Sequence, residues 1–159
     1  MGREEGVVAP ALTSSNSSRI IYEAETWLGT PYHEQASVKG PNGGVDCAMF
    51  LVRVFVDAGL VKEFDPRPYS NTFYLHSSEP RYLNWVERYG VKLPDGELEC
   101  PGDIALFKLG RAIGHGAICL GNDMMIHAWK QAGYVTRSEL RCNLMLYPRL
   151  AGFWRLRDG

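Results

Sequence analysis

Residues 46–60 read "DCAMFLVRVFVDAGL", and the reading of this stretch decides the fold. Apolar side chains fall on nearly every face of a 3.6-residue repeat, so a helix here has no solvent face and lies in the core. The run outlasts an ordinary strand, which favours helix over strand. Asp46 is a suitable N-cap and Gly59 a suitable C-terminal stop.

Working outward, Ile20, Ile21, Ala24, Trp27 and Leu28 recur at helical spacing before Gly29, and the serines of "TSSNSS" (13–18) are good caps for that helix. Residues 1–16 lack periodicity and are expected to be a flexible N-terminal segment; residues 17–159 are expected to form a single domain. "TPYHEQASVKGPNGGV" (30–45) and "DPRPYS" (65–70) read as loops, and "SSEPRYLNWVERYG" (77–90) as a further helix closed by glycine. After "CPGD" (100–103) the pattern changes. "IALFKL", "HGAICL" and "MMIHAW" are short apolar runs, and "GND" (121–123) between the last two is a tight hairpin signal. "GYVTR" and "FWRL" continue the series of strands. Helices first and antiparallel strands second predict an α+β fold, with N-terminal helices packed on a small antiparallel β-sheet.

Composition narrows the function classes. With 45% hydrophobic and 22% charged residues the chain has ordinary globular balance. A formal net charge of −1 gives no general attraction to nucleic acid or to an anionic membrane surface. No apolar run approaches the ~18 residues of a membrane span. "MGREEGVVAP" has no apolar core of signal-peptide length, so the expected location on synthesis is cytoplasmic. Cysteines stand at 47, 100, 119 and 142 with no C-x-x-C pair, which argues against a finger-type zinc site, and reduced thiols are expected.

Three of these residues suggest nucleophilic chemistry. Cys47 falls in the first turn of the core helix, where free N–H groups and the helix dipole favour a thiolate, and its own N–H can serve an oxyanion. The adjacent Asp46 opposes this by raising the thiol pKa unless it caps the helix and points away. The plain alternative for Cys47 is a small buried hydrophobe, a reading that also fits Cys119 and Cys142. His115, between Gly114 and Gly116, is a candidate base, or else a strand-end histidine. If "GND" is the turn, His115 lies near residue 129 or 130, with His127 diagonally adjacent. His127 is then a third group to orient the base, or else a filler of a semi-polar strand face. His33 and His76 read as surface residues in loops.

Five short segments stand in one order: "GTPY" (29–32), "DC" (46–47), "PGD" (101–103), "GH" (114–115) and "IHA" (126–128). In this the chain resembles the NlpC/p60 family of papain-like cysteine peptidases, over about residues 18–157. "HEQASVKGPNGGVDC" and "YLHSSEPRYLNWVE" resemble the phage-tail and gene-transfer-agent members. Ala48-Met49 stand where cell-wall members usually have Ser-Gly. The resemblance implies a papain-like fold with Cys47 as nucleophile, His115 as base and His127 as the orienting residue. It implies Tyr32 beside the thiolate, helping to hold the oxyanion or substrate, although Tyr32 also reads as an ordinary aromatic of a proline turn. Asp46 would read a substrate amine or simply cap the helix. No metal or organic cofactor is implied. The expected activity is hydrolysis of amide bonds in the peptide stems of bacterial cell wall, with phage tail proteins as candidate partners and a virion tail or delivery to the wall as the destination. The competing expectation is a tail-assembly protein that keeps the fold without the activity.

Overall fold

The computed structural model describes residues 12–70 and 80–157. Helix α1 (Ser14–Glu25) opens on Thr13, whose side chain accepts from the Asn16 N–H at 3.1 Å. It therefore starts within the segment expected to be flexible, because the serine-rich stretch is recruited as cap and first turn. Residues 1–11 of that segment lie outside the described residues. The helix also stops at Glu25, so Trp27 and Leu28 belong to a turn that ends at Gly29.

Two strands, β1 (Ser37–Val38) and β2 (Gly44–Val45), form a ribbon inside the stretch expected to be a loop. They are too short to leave alternation in the sequence. Gly43 is needed there, since a Cβ on it would lie 1.9 Å from the Val38 carbonyl oxygen.

Helix α2 (Cys47–Asp57) is the buried helix expected. Eight of its residues, from Cys47 to Phe55, are buried, and it packs against α1 and the sheet. Helix α3 (Arg81–Tyr89) turns Tyr82 and Val86 inward at i, i+4 spacing. His76 and the expected start of this helix, 77–79, lie outside the described residues. No described helix is long and apolar enough to cross a membrane.

Six antiparallel strands follow: β3 (Gly90–Lys92), β4 (Ile104–Lys108), β5 (Ile113–Gly121), β6 (Met124–Trp129), β7 (Tyr134–Glu139) and β8 (Leu150–Leu156), in the order β3-β8-β4-β5-β6-β7. Both faces are covered. Ile104, Leu106, Ile118 and Ile126 meet α2, while Ala105, Phe107, Ala117 and Met125 pack under Leu140 and Leu146. Double coverage is why "IALF" is apolar throughout instead of alternating. The turn lies where expected: Gly121, Asn122 and Asp123 all have positive φ, and Ile118 stands opposite Ile126.

Candidate active site

Cys47 is the first residue of α2, and Asp46 is its N-cap. Asp46 is fully buried, and its carboxylate accepts from the Met49 N–H at 2.9 Å, the Gln35 N–H at 2.8 Å and the Tyr69 hydroxyl at 2.7 and 2.6 Å. Gln35 adopts a left-handed backbone, φ 65°, which serves this contact. Of the two roles expected for Asp46, the structure shows the cap.

Cys47 and His115 line one cleft, together with Tyr32, Tyr69, Tyr82 and Trp85. The thiol donates to the Gly114 carbonyl at 3.6 Å, immediately before His115, and not to the imidazole itself. His115 is buried against Phe107, and its Nε2 lies 2.8 Å from Nδ1 of His127. His127 is fully buried, stacked on Trp129, with its Nε2 2.6 Å from Ser138 Oγ. The hairpin thus brings His115 and His127 together as the diagonal pairing predicts. Glu34 and Lys130 face each other across the rim at 3.4 Å.

Gly116 admits neighbouring side chains rather than a backbone: a Cβ would lie 2.8 Å from both Leu51 Cδ1 and Tyr82 Oη. Tyr82 donates to the Cys47 carbonyl at 3.3 Å. Sequence reasoning did not single out Tyr69, Tyr82, Trp85 or Ser138. The stripe Tyr82-Trp85-Val86-Tyr89 marks a buried helix face, but not the cavity it lines. Tyr82, Trp85 and Ala48 also line a second pocket, walled by Leu51, Phe55 and Phe64, which among the described residues holds no cysteine or histidine.

Of the other cysteines, Cys119 is buried as expected, but Cys142 is exposed, because it falls in a turn beyond β7 and not on a packed strand. His33 is exposed. Among the described residues no group of three or more His, Cys, Asp or Glu is placed to hold a metal ion.

Burial governs the electrostatics. It pushes the Cys47 thiol up to about 12, with the Asp46 carboxylate adding to the rise. It pushes His115 down to about 3, and burial with the neighbouring His115 holds His127 well below its ordinary value. The helix N-terminus led to the expectation of a depressed thiol pKa; depth of burial reverses it. These shifts favour a protonated thiol and two neutral imidazoles near neutral pH.

This arrangement predicts acid lability. Below pH 6.5 the unfolded chain binds protons that the native histidines refuse, so stability falls as pH drops. The loss is about 1.4 kcal/mol per pH unit for each histidine, and for His115 it continues toward about pH 3. Denaturant titrations at a series of acid pH values check it: His127→Asn should flatten the slope by about one proton. An unchanged slope overturns it.

The NlpC/P60 family model matches residues 29–155 of the chain, which is most of its length. This chain belongs to the NlpC/P60 family. The matched span contains Tyr32, Asp46, Cys47, His115 and His127, and leaves α1 outside. Among solved structures, an NLP/P60-family protein of Staphylococcus aureus, described as similar to a lipoprotein, aligns with a TM-score of 0.67 at 17% identity, covering 96% of this chain and 45% of its own. The present chain thus spans less than half of that relative. The peptidoglycan hydrolase RipB of Mycobacterium tuberculosis aligns at 0.58 and 24% identity, over 93% of this chain and 70% of RipB. The NlpC/p60 domain of the peptidoglycan hydrolase SagA aligns at 0.54 and 22%, over 87% and 96%. These neighbours agree with the α+β, papain-like architecture of helices on an antiparallel sheet. No curated protein is similar enough to the chain to count as a match.

Proposed function

We propose that this chain is a thiol hydrolase that cleaves amide bonds in the peptide stems of bacterial peptidoglycan. The observation that carries it is a cysteine at the first position of the buried helix, sharing a cleft with a histidine that is itself bonded to a second histidine. Family membership supports the reaction class, and two structural neighbours are described as peptidoglycan hydrolases.

In this reading the substrate carbonyl enters the cleft and the thiol exchanges the Gly114 carbonyl for the imidazole of His115. Sulfur attacks the carbonyl carbon as its proton passes to His115. The oxyanion is held by the Cys47 N–H, which has no intrahelical partner at that position, and by Tyr32. Collapse breaks the C–N bond, and the departing amine takes the proton from His115. Water, deprotonated by the same imidazole, then hydrolyses the thioester. These steps call on no metal or organic cofactor.

The likeness of residues 33–47 to tail-associated members supports a phage particle as carrier and tail proteins as partners, with the cell wall as the site of action. The test is incubation with purified peptidoglycan. Wild-type protein should release new amino groups and soluble stem fragments, and kcat/KM should stay level from about pH 5 to about 9, because both groups stay neutral across that range. No release, together with binding to tail proteins, would replace this reading with an assembly role.

A further inference from the structure

The hydrogen-bonded chain does not stop at His127. His115 Nε2, His127 Nδ1, His127 Nε2 and Ser138 Oγ follow one another at 2.8 and 2.6 Å. Ser138 lies on β7 beside Thr136, the residue paired with His127, and its side chain comes from the same face of the strand. We propose that Ser138 is a positioning residue that sets the tautomer of His127 and, through it, of His115. The inference rests on the hydrolase reading for its effect on rate, but not for its effect on the histidines.

The argument is a count of protons. Between two neutral imidazoles only one nitrogen donates, which leaves two arrangements. In one, His115 Nε2–H donates to His127 Nδ1, and His127 carries its proton on Nε2. His115 then has a bare Nδ1, able to take the thiol proton. In the other, His127 Nδ1–H donates to His115 Nε2, and His115 carries its proton on Nδ1, where it cannot act as a base. A serine hydroxyl is both donor and acceptor. In the first arrangement it accepts from His127 Nε2–H and in the second it donates to the bare Nε2, so while it is present neither arrangement lacks a partner at that nitrogen. With no oxygen at position 138 the first arrangement strands an N–H donor on a fully buried ring and the second only a bare ring nitrogen; the stranded donor costs more, and the second arrangement takes over. Ser138 touches neither the cleft nor the thiol, so its action is entirely through His127.

The test has two arms. Nitrogen-15 NMR of the free protein should show His127 protonated at Nε2 and His115 protonated at Nε2 with Nδ1 bare. In Ser138→Ala both protons should move to Nδ1. A proton already on His127 Nδ1 in the wild type overturns the proposal, whatever the activity on peptidoglycan. In the kinetic arm, Ser138→Ala should lower kcat about 10- to 100-fold with KM nearly unchanged, the usual effect of losing an outer partner. Ser138→Thr, which keeps the hydroxyl, should restore the rate and the wild-type tautomer. A Ser138→Ala enzyme with undiminished kcat, or a Ser138→Thr enzyme as slow as Ser138→Ala, overturns it. If wild type cleaves no peptidoglycan, the hydrolase reading fails while the NMR arm still decides this one.

Discussion

Cys47→Ala should abolish amine release from peptidoglycan, a loss on the order of 10⁴-fold or more, with the fold retained. Among the described residues the side chain supplies the only sulfur in the cleft, and alanine offers no atom to form the acyl intermediate. Stability should change little. Asp46 caps the helix through the Met49 N–H, not through the thiol, and the thiol's contact with the Gly114 carbonyl, at 3.6 Å, is a weak one. Adding His115→Ala to the same chain should cost nothing further, because in the proposed reaction base and nucleophile act as a unit. The checks are amine release under saturating substrate and a denaturant midpoint for each variant. A Cys47→Ala protein that keeps a substantial part of the rate would remove the basis for nucleophilic catalysis at this site.

Asp103→Ala should cost about 3–5 kcal/mol, a large part of the ~5–15 kcal/mol that holds a domain together. Asp103 is 0% exposed and Arg155 3%, and the guanidinium meets the carboxylate with two parallel bonds of 2.8 Å. The same carboxylate accepts the Cys100 N–H at 2.7 Å, so it ties the Pro-Gly turn to β8. Removing it leaves a buried guanidinium with, among the described residues, only Glu97, at 3.6 Å, to balance its charge. Replacing both partners by apolar residues, Asp103→Leu with Arg155→Met, should recover much of the loss, since the penalty belongs to the uncompensated charge. Urea unfolding of the three proteins measures it. A single-variant loss below about 1 kcal/mol would mean that water reaches Arg155 and that the pair is not sealed. The "PGD" motif is thereby a structural fastening in this chain, although the sequence offers it beside the motifs of the proposed site with nothing to mark the difference.

Much of the architecture was legible in the linear chain. Residues 46–60 are apolar on nearly every face, with only an Arg53–Asp57 edge left to solvent, which a core helix accommodates. Gly121-Asn122-Asp123 tolerate positive φ, which places the turn, sets the register and brings His115 diagonal to His127. Caps, periodicity and turns are short-range, so neighbouring residues encode them. Tertiary structure alone decided the chemistry around those landmarks. The depth that drives the thiol up and the imidazoles down comes from strands and helices distant in sequence. Asp46 is sealed by Tyr69, the cleft is walled by Tyr82 and Trp85 of α3, and Ser138 arrives through the pairing of β6 with β7. Burial and cross-strand proximity are sums over the whole packed chain, and no window of sequence contains them.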